Sequence, residues 1–114
     1  MPTLRIQTNA HVPTGDRATL LARASQTVAE MLGKPESYVM VILEDARDML
    51  FAGSPSPAAF LELISLGLPE DRTAYYARIL CNLMDDALGV PADRVYIEFS
   101  DAERHLWGWN SATF

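Results

Sequence analysis

Residues 2–8 alternate between apolar Leu4 and Ile6 and polar Arg5 and Gln7. A period of two is the mark of a half-buried strand. Thr14, Gly15 and Asp16 supply helix-capping chemistry. From Ala18 the apolar positions fall at Leu20, Leu21, Ala24, Val28, Met31 and Leu32, which is helical spacing. Gly33 is a natural terminator and Pro35 forbids continuation. The run YVMVIL at 38–43 is unbroken and bounded by turn signals, so it predicts a strand buried on both faces. Residues 45–57, with GSPSP at 53–57, read as loop.

The second half follows the same plan. FLELISL at 60–66 predicts a strand, and LPEDR opens a helix. That helix places Tyr75, Tyr76, Ile79, Leu80, Leu83, Met84 and Leu88 on its apolar side, and it stops at Gly89 before Pro91. VYIEF at 95–99 alternates as a strand.

Setting residues 32–45 over 88–101 matches Leu, Gly, Pro, Val and Asp at five of fourteen positions. The two stretches lie about 56 residues apart, and each is helix end, glycine stop, proline turn and strand. Similar turn chemistry arising twice accounts for the glycine and proline, but a duplicated β-α-β unit is the simpler reading. It predicts one α/β domain over residues 1–114, with pseudo-repeats at roughly 2–57 and 58–114. Each strand pair flanking a helix should be parallel with a right-handed crossover. Both helices then cover one face of a four-stranded sheet. The other face, read as rich in apolar residues, needs a cover that a homo-oligomer would supply.

Composition narrows the function. The chain has 114 residues, 49% of them hydrophobic, and a formal net charge of -6. That balance argues against nucleic acid or an anionic membrane as the main partner. The one cysteine, Cys81, excludes an internal disulfide or a Cys-x-x-Cys motif, and His11 and His105 stand too far apart to suggest a metal site. No metal or cofactor is expected. Residues 1–30 lack a signal-peptide pattern and no apolar run reaches membrane-spanning length, so the expectation is a cytoplasmic protein.

The candidate chemistry lies at the start. Once Met1 is removed, Pro2 carries a free secondary amine on a rigid ring. An α-amino group titrates near ~7.7–8.0, and burial lowers that value by disfavouring the charged form. Such an amine at the start of a strand suits a general base, which works best with a pKa near the operating pH. A terminal proline without a role is the alternative.

Four motifs then occur in order: GKPESYVMV after the first helix, SLG at 65–67, DRVYIEF at 93–99 and GWNSATF at 108–114. With the Met-Pro start, they resemble the macrophage migration inhibitory factor family of the tautomerase superfamily, bacterial members included, from Pro2 to Phe114. The resemblance implies a homotrimer with sites at subunit interfaces. It implies keto–enol tautomerisation of arylpyruvates such as phenylpyruvate, with Pro2 as the base. Lys34 would pair with the substrate carboxylate and stabilise enolate charge, although a lysine after a helix-ending glycine is ordinarily a solvated group. Tyr38 matches a tyrosine at the pocket rim, or packs on the core. Ser65 and Leu66 match a Ser-Ile-Gly stretch whose second backbone N–H binds the carboxylate. Tyr96 and Glu98 leave one face of their strand, and the counterpart of Tyr96 enters the neighbouring subunit's pocket. Trp107, Trp109 and Phe114 would form an aromatic wall, or a packed tail.

The departures matter as well. Glu98 stands where mammalian members carry asparagine. An ionised carboxylate only accepts hydrogen bonds and adds negative charge near an anionic substrate. Trp107 replaces a smaller aliphatic residue and should narrow the pocket, favouring phenylpyruvate over the bulkier dopachrome. The mammalian Cys-x-x-Cys would fall near Ala58 and Leu61, so no thiol oxidoreductase activity is expected. Cys81 reads as a small core residue. A cytokine-like receptor ligand with a vestigial pocket is the competing reading, and the family's release without a signal peptide leaves it open. Arg5 and Glu98 also leave open the hydratase, dehalogenase or decarboxylase chemistry of other superfamily members.

Overall fold

The computed structural model describes all of residues 1–114 and is a mixed α/β fold. Its elements run β1 (Pro2–Thr8), α1 (Thr14–Leu32), β2 (Met40–Glu44), β3 (Ala59–Leu66), α2 (Thr73–Leu88) and β4 (Val95–Ala102). A short hairpin of β5 (Gly108–Trp109) and β6 (Ala112–Thr113) ends the chain. The main sheet has the order β2-β1-β3-β4. β1 pairs with β2 in parallel and β3 with β4 in parallel, while the central β1–β3 pair is antiparallel. Each half therefore forms its own parallel β-α-β unit, and the two units join at β1 and β3.

Alternation decides which face meets the helices. Leu4 and Ile6 of β1 and Leu61 and Leu63 of β3 are fully buried, and they pack with Val28 of α1 and Leu80 and Met84 of α2. Removing a leucine-sized side chain from water is worth about 1.5–3 kcal/mol, so this layer supplies most of the fold's driving force. Tyr76 is buried in the same core beside Phe99 of β4, whereas Tyr75 is 41% exposed under the Arg72 guanidinium.

Three expectations need correction. β2 is an edge strand with Met40 58% exposed, so residues 38–43 are not buried on both sides. The strand begins only at Met40, because residues 36–38 form a single 3-10 turn. The sheet face away from the helices is not an apolar surface either. It carries Arg5, Gln7, Glu44, Glu62 and Glu98 among Met40, Ile42, Phe60, Ile64 and Tyr96. Gln7 donates to Glu44 at 3.0 Å, and Arg5 lies 3.6 and 3.9 Å from Glu44 and Glu62.

The third correction concerns the start of α1. No side chain of its own first turn caps it. Asp45, just past β2, does the anchoring instead. Its carboxylate accepts from the Val12 N–H at 2.8 Å and from Arg17 Nη1 at 2.8 Å. Those two bonds hold its carboxyl below the usual range. Both helices end as the glycines imply, with Gly33 and Gly89 left-handed at φ 64 and 67.

Candidate active site

The ends of four elements meet where β1 begins. At the end of α1, the Gly33 N–H donates to Glu30 O at 3.3 Å and the Lys34 N–H to Ala29 O at 3.0 Å. This is the Schellman arrangement, which depends on the left-handed glycine. It turns the chain so that the Lys34 side chain reaches the end of β3. The ammonium donates to Ser65 Oγ at 3.0 Å and to the Leu66 carbonyl. Ser65 is fully buried and is the register partner of Pro2. The Pro2 side chain is itself fully buried. Met1 is only 6% exposed and lines the hollow.

That hollow has a volume of about 350 Å³, and Lys34, Tyr38, Leu66, Arg104 and Phe114 line it with Met1. A second hollow of about 340 Å³ shares Met1, Tyr38 and Phe114 and adds Trp107 and Trp109. The rings are held together at their edges and faces. Trp109 and Phe114 stack with centroids 5.7 Å apart at 17°. Tyr38 meets both edge-on, at 5.4 and 6.0 Å. These are favourable aromatic geometries. The β5–β6 hairpin presents them: Asn110 and Ser111 both have positive φ at its turn, and the Phe114 N–H closes on Trp107 O at 3.1 Å. Positive φ at both central positions is the type I′ signature.

The electrostatics follow from crowding of like charge. Burial lowers the Lys34 pKa from the ordinary lysine value, the Arg104 guanidinium lowers it further, and Asp101 opposes them. The Met1 α-amino group is also lowered, first by burial and then by Lys34. No carboxylate lies within ion-pair distance of Lys34, which is bonded only to neutral oxygens.

Pro2, Lys34, Tyr38, Ser65, Leu66, Trp107, Trp109 and Phe114 thus surround one region. Tyr96 and Glu98 do not join them within the chain. They pair in register with Phe60 and Glu62 on β3, whereas Ser65 marks the Pro2 end. Five residues of strand put Tyr96 about 16 Å along the sheet from that end. Tyr96 is 66% exposed and packs its ring against Phe51 at 4.6 Å. It borders a separate apolar hollow of about 380 Å³ with Met49, Leu50 and Phe60. Sequence reasoning missed Arg104, because a lone arginine between Glu103 and His105 in a polar turn carries no signal of its own.

The family model for macrophage migration inhibitory factor matches residues 1–114. The chain belongs to the macrophage migration inhibitory factor family. The family member from Brugia malayi, named a macrophage migration inhibitory factor homolog, is 38% identical over 117 residues, covering 100% of this chain and 99% of its own. The Meriones unguiculatus member is 36% identical over 120 residues, with 100% and 99% coverage. Among solved structures, the macrophage migration inhibitory factor homologue from Prochlorococcus marinus superposes with a TM-score of 0.93 at 40% identity, covering 98% of each chain. The Trichinella spiralis member gives 0.90 at 32% identity, covering 98% and 99%.

Proposed function

We propose that this family member is a keto–enol tautomerase of arylpyruvates such as phenylpyruvate, with Pro2 as general base after loss of Met1. The observation that carries the reading is the Lys34 ammonium: it lines the hollow with Tyr38 and Phe114, has no ion-pair partner, and is bonded to Ser65, the register partner of buried Pro2. The substrate carboxylate supplies that counter-ion, and the Leu66 N–H joins it. The ring enters among Tyr38, Trp109 and Phe114, while Trp107 narrows the entrance.

The Pro2 amine removes a proton from the carbon beside the ketone. The electron pair left on carbon becomes the C=C bond of the enol, and the ketone oxygen gains negative charge and then takes the proton from the Pro2 ammonium, which restores the neutral amine. Lys34 stabilises that developing charge. The reverse direction returns the proton to carbon. A homotrimer completes the reading, with Tyr96 and Glu98 of one subunit reaching the Pro2 end of the next.

The test follows phenylpyruvate enol-to-keto conversion by ultraviolet absorbance, on protein whose intact mass shows Met1 removed. Replacing a positioned general base removes about 10²–10⁴-fold in rate, so Pro2→Gly should fall by that order while keeping its circular dichroism. A wild-type rate equal to that of buffer would end the tautomerase reading.

A further inference from the structure

Arg104 lines the same hollow as Lys34 and Met1, in the 3-10 turn Arg104–Leu106 that follows β4. Its guanidinium makes no hydrogen bond and no ion pair within the chain. Each of the other arginines facing an acid has taken it: Arg5 with Glu44 and Glu62, Arg17 with Asp45, Arg23 with Asp86 and Arg47 with Glu44. The acids nearest Arg104 in sequence make no ion pair with it. Glu103 lies 3.5 Å from His105, and Asp101 accepts the Leu68 N–H at 3.1 Å. In a chain of net charge -6, two cations without an ion-pair partner therefore face one hollow, offset only in part by Asp101. Their mutual repulsion costs stability, and an anion between them relieves it.

We infer that Arg104 is a second carboxylate-binding residue of this site, so that a guanidinium and the Lys34 ammonium together hold the acid group of the ligand. The inference rests on the tautomerase reading for the identity of that ligand. A planar guanidinium binds a carboxylate through two parallel N–H donors, which a single ammonium cannot do. Arg104 thereby selects for acids over neutral carbonyl compounds of the same ring and sets how the acid group is turned. The Lys34 pKa, already lowered in part by Arg104, reports on the pair.

The experiment compares wild type, Arg104→Ala and Arg104→Lys, all with Met1 removed. 3-Phenylpropanoate and its neutral amide are titrated against the tryptophan fluorescence of Trp107 and Trp109. Neither probe has a ketone, so binding is read without turnover. The expected result is a Kd for the acid about tenfold weaker in Arg104→Ala, with partial recovery in Arg104→Lys and an unchanged amide Kd. For phenylpyruvate, KM rises and kcat holds. The alkaline loss of acid binding moves to higher pH in Arg104→Ala, because Lys34 keeps its proton longer. An acid Kd that is unchanged, or that weakens equally with the amide's, overturns the inference. If wild type turns over phenylpyruvate but Arg104→Ala leaves its KM unchanged, the inference fails and the tautomerase stands. If wild type is inactive but its acid binding still depends on Arg104, the tautomerase reading fails and Arg104 keeps its role.

Discussion

At the scale of single residues, the site is governed by what burial does to amines. A lowered amine pKa means that the neutral form appears at a lower pH than usual. The groups at the Pro2 end are subject to burial and to Lys34, as the depressed Met1 amine shows. A free Pro2 amine in the same place should become a neutral base below the ordinary ~7.7–8.0 of an α-amino group. In the proposed mechanism Lys34 holds the acid only while charged, and its pKa is also lowered. The expected pH profile of kcat/KM is therefore a bell. Its acidic limb rises as Pro2 loses its proton, and its alkaline limb falls as Lys34 does, below the ordinary lysine value of 10.5. A rate that climbs without limit to high pH would exclude Lys34 as the charged partner. Trp107 makes a separate prediction about size. It is half-buried at the second hollow, so Trp107→Val should raise turnover of dopachrome relative to phenylpyruvate, by roughly tenfold for the volume released. Measuring both substrates on both proteins checks it. That Pro2, Lys34 and the aromatic residues lie together was expected from the family resemblance, because its motifs occur in order, and the structure gathers them at one end of the sheet. Arg104 was not, because its significance depends on which acids its neighbours have already bound.

At the scale of elements, local pattern predicted existence better than environment. Both helices and all four main strands follow from period and punctuation, since Gly33 and Gly89 take the left-handed conformation that helix ends favour. The burial of β2 was misread. An apolar run reports that a strand is apolar, not whether anything covers its second face, and here Met40 on that face is exposed. The start of α1 was misread for a related reason: the anchoring carboxylate is Asp45, distant in sequence and brought close only by the fold. The 51–57 loop repeats this lesson, and it makes a prediction. Arg94 donates to the carbonyls of Phe51, Ser54, Ser56 and Pro57 at 2.8–3.1 Å, and its guanidinium lies 5.1 Å from the Phe51 ring centroid. Phe51 in turn supports Tyr96. Hydrogen bonds to a charged group are worth about 1.5–3 kcal/mol net. Arg94→Ala should destabilise the chain by about that amount, with the extra hydrogen exchange concentrated at the Phe51 and Ser54 amides. Exchange rising evenly across the chain would mean that Arg94 acts on the whole fold and not on the loop.

At the scale of the whole molecule, the proposed site must bring Tyr96 and Glu98 to the Pro2 end, from which strand register sets them about 16 and about 10 Å along the sheet. No motion of a packed β4 carries them there, because Val95, Ile97 and Phe99 of the same strand pack on the core. A second copy solves the geometry. β2 and β4 are both free edges, with Met40 and Tyr96 exposed beside them, and free edges are surfaces that seek a partner. In a closed ring of head-to-tail contacts, the Tyr96 end of each subunit meets the Pro2 end of the next. This arrangement predicts complementation. Pro2→Gly and Tyr96→Ala proteins would each be impaired alone, the second through the site it completes for its neighbour. Mixed after denaturation and refolding together, they form some junctions in which intact Pro2 of one chain faces intact Tyr96 of the other. With random assembly, about a quarter of junctions are wholly intact, and activity should return toward that fraction of wild type. Light scattering should give three times the 12.6 kDa chain mass. A mixed sample no more active than the average of its parents would mean that each site is built from one chain, and that Tyr96 serves the apolar hollow beside Phe51 instead.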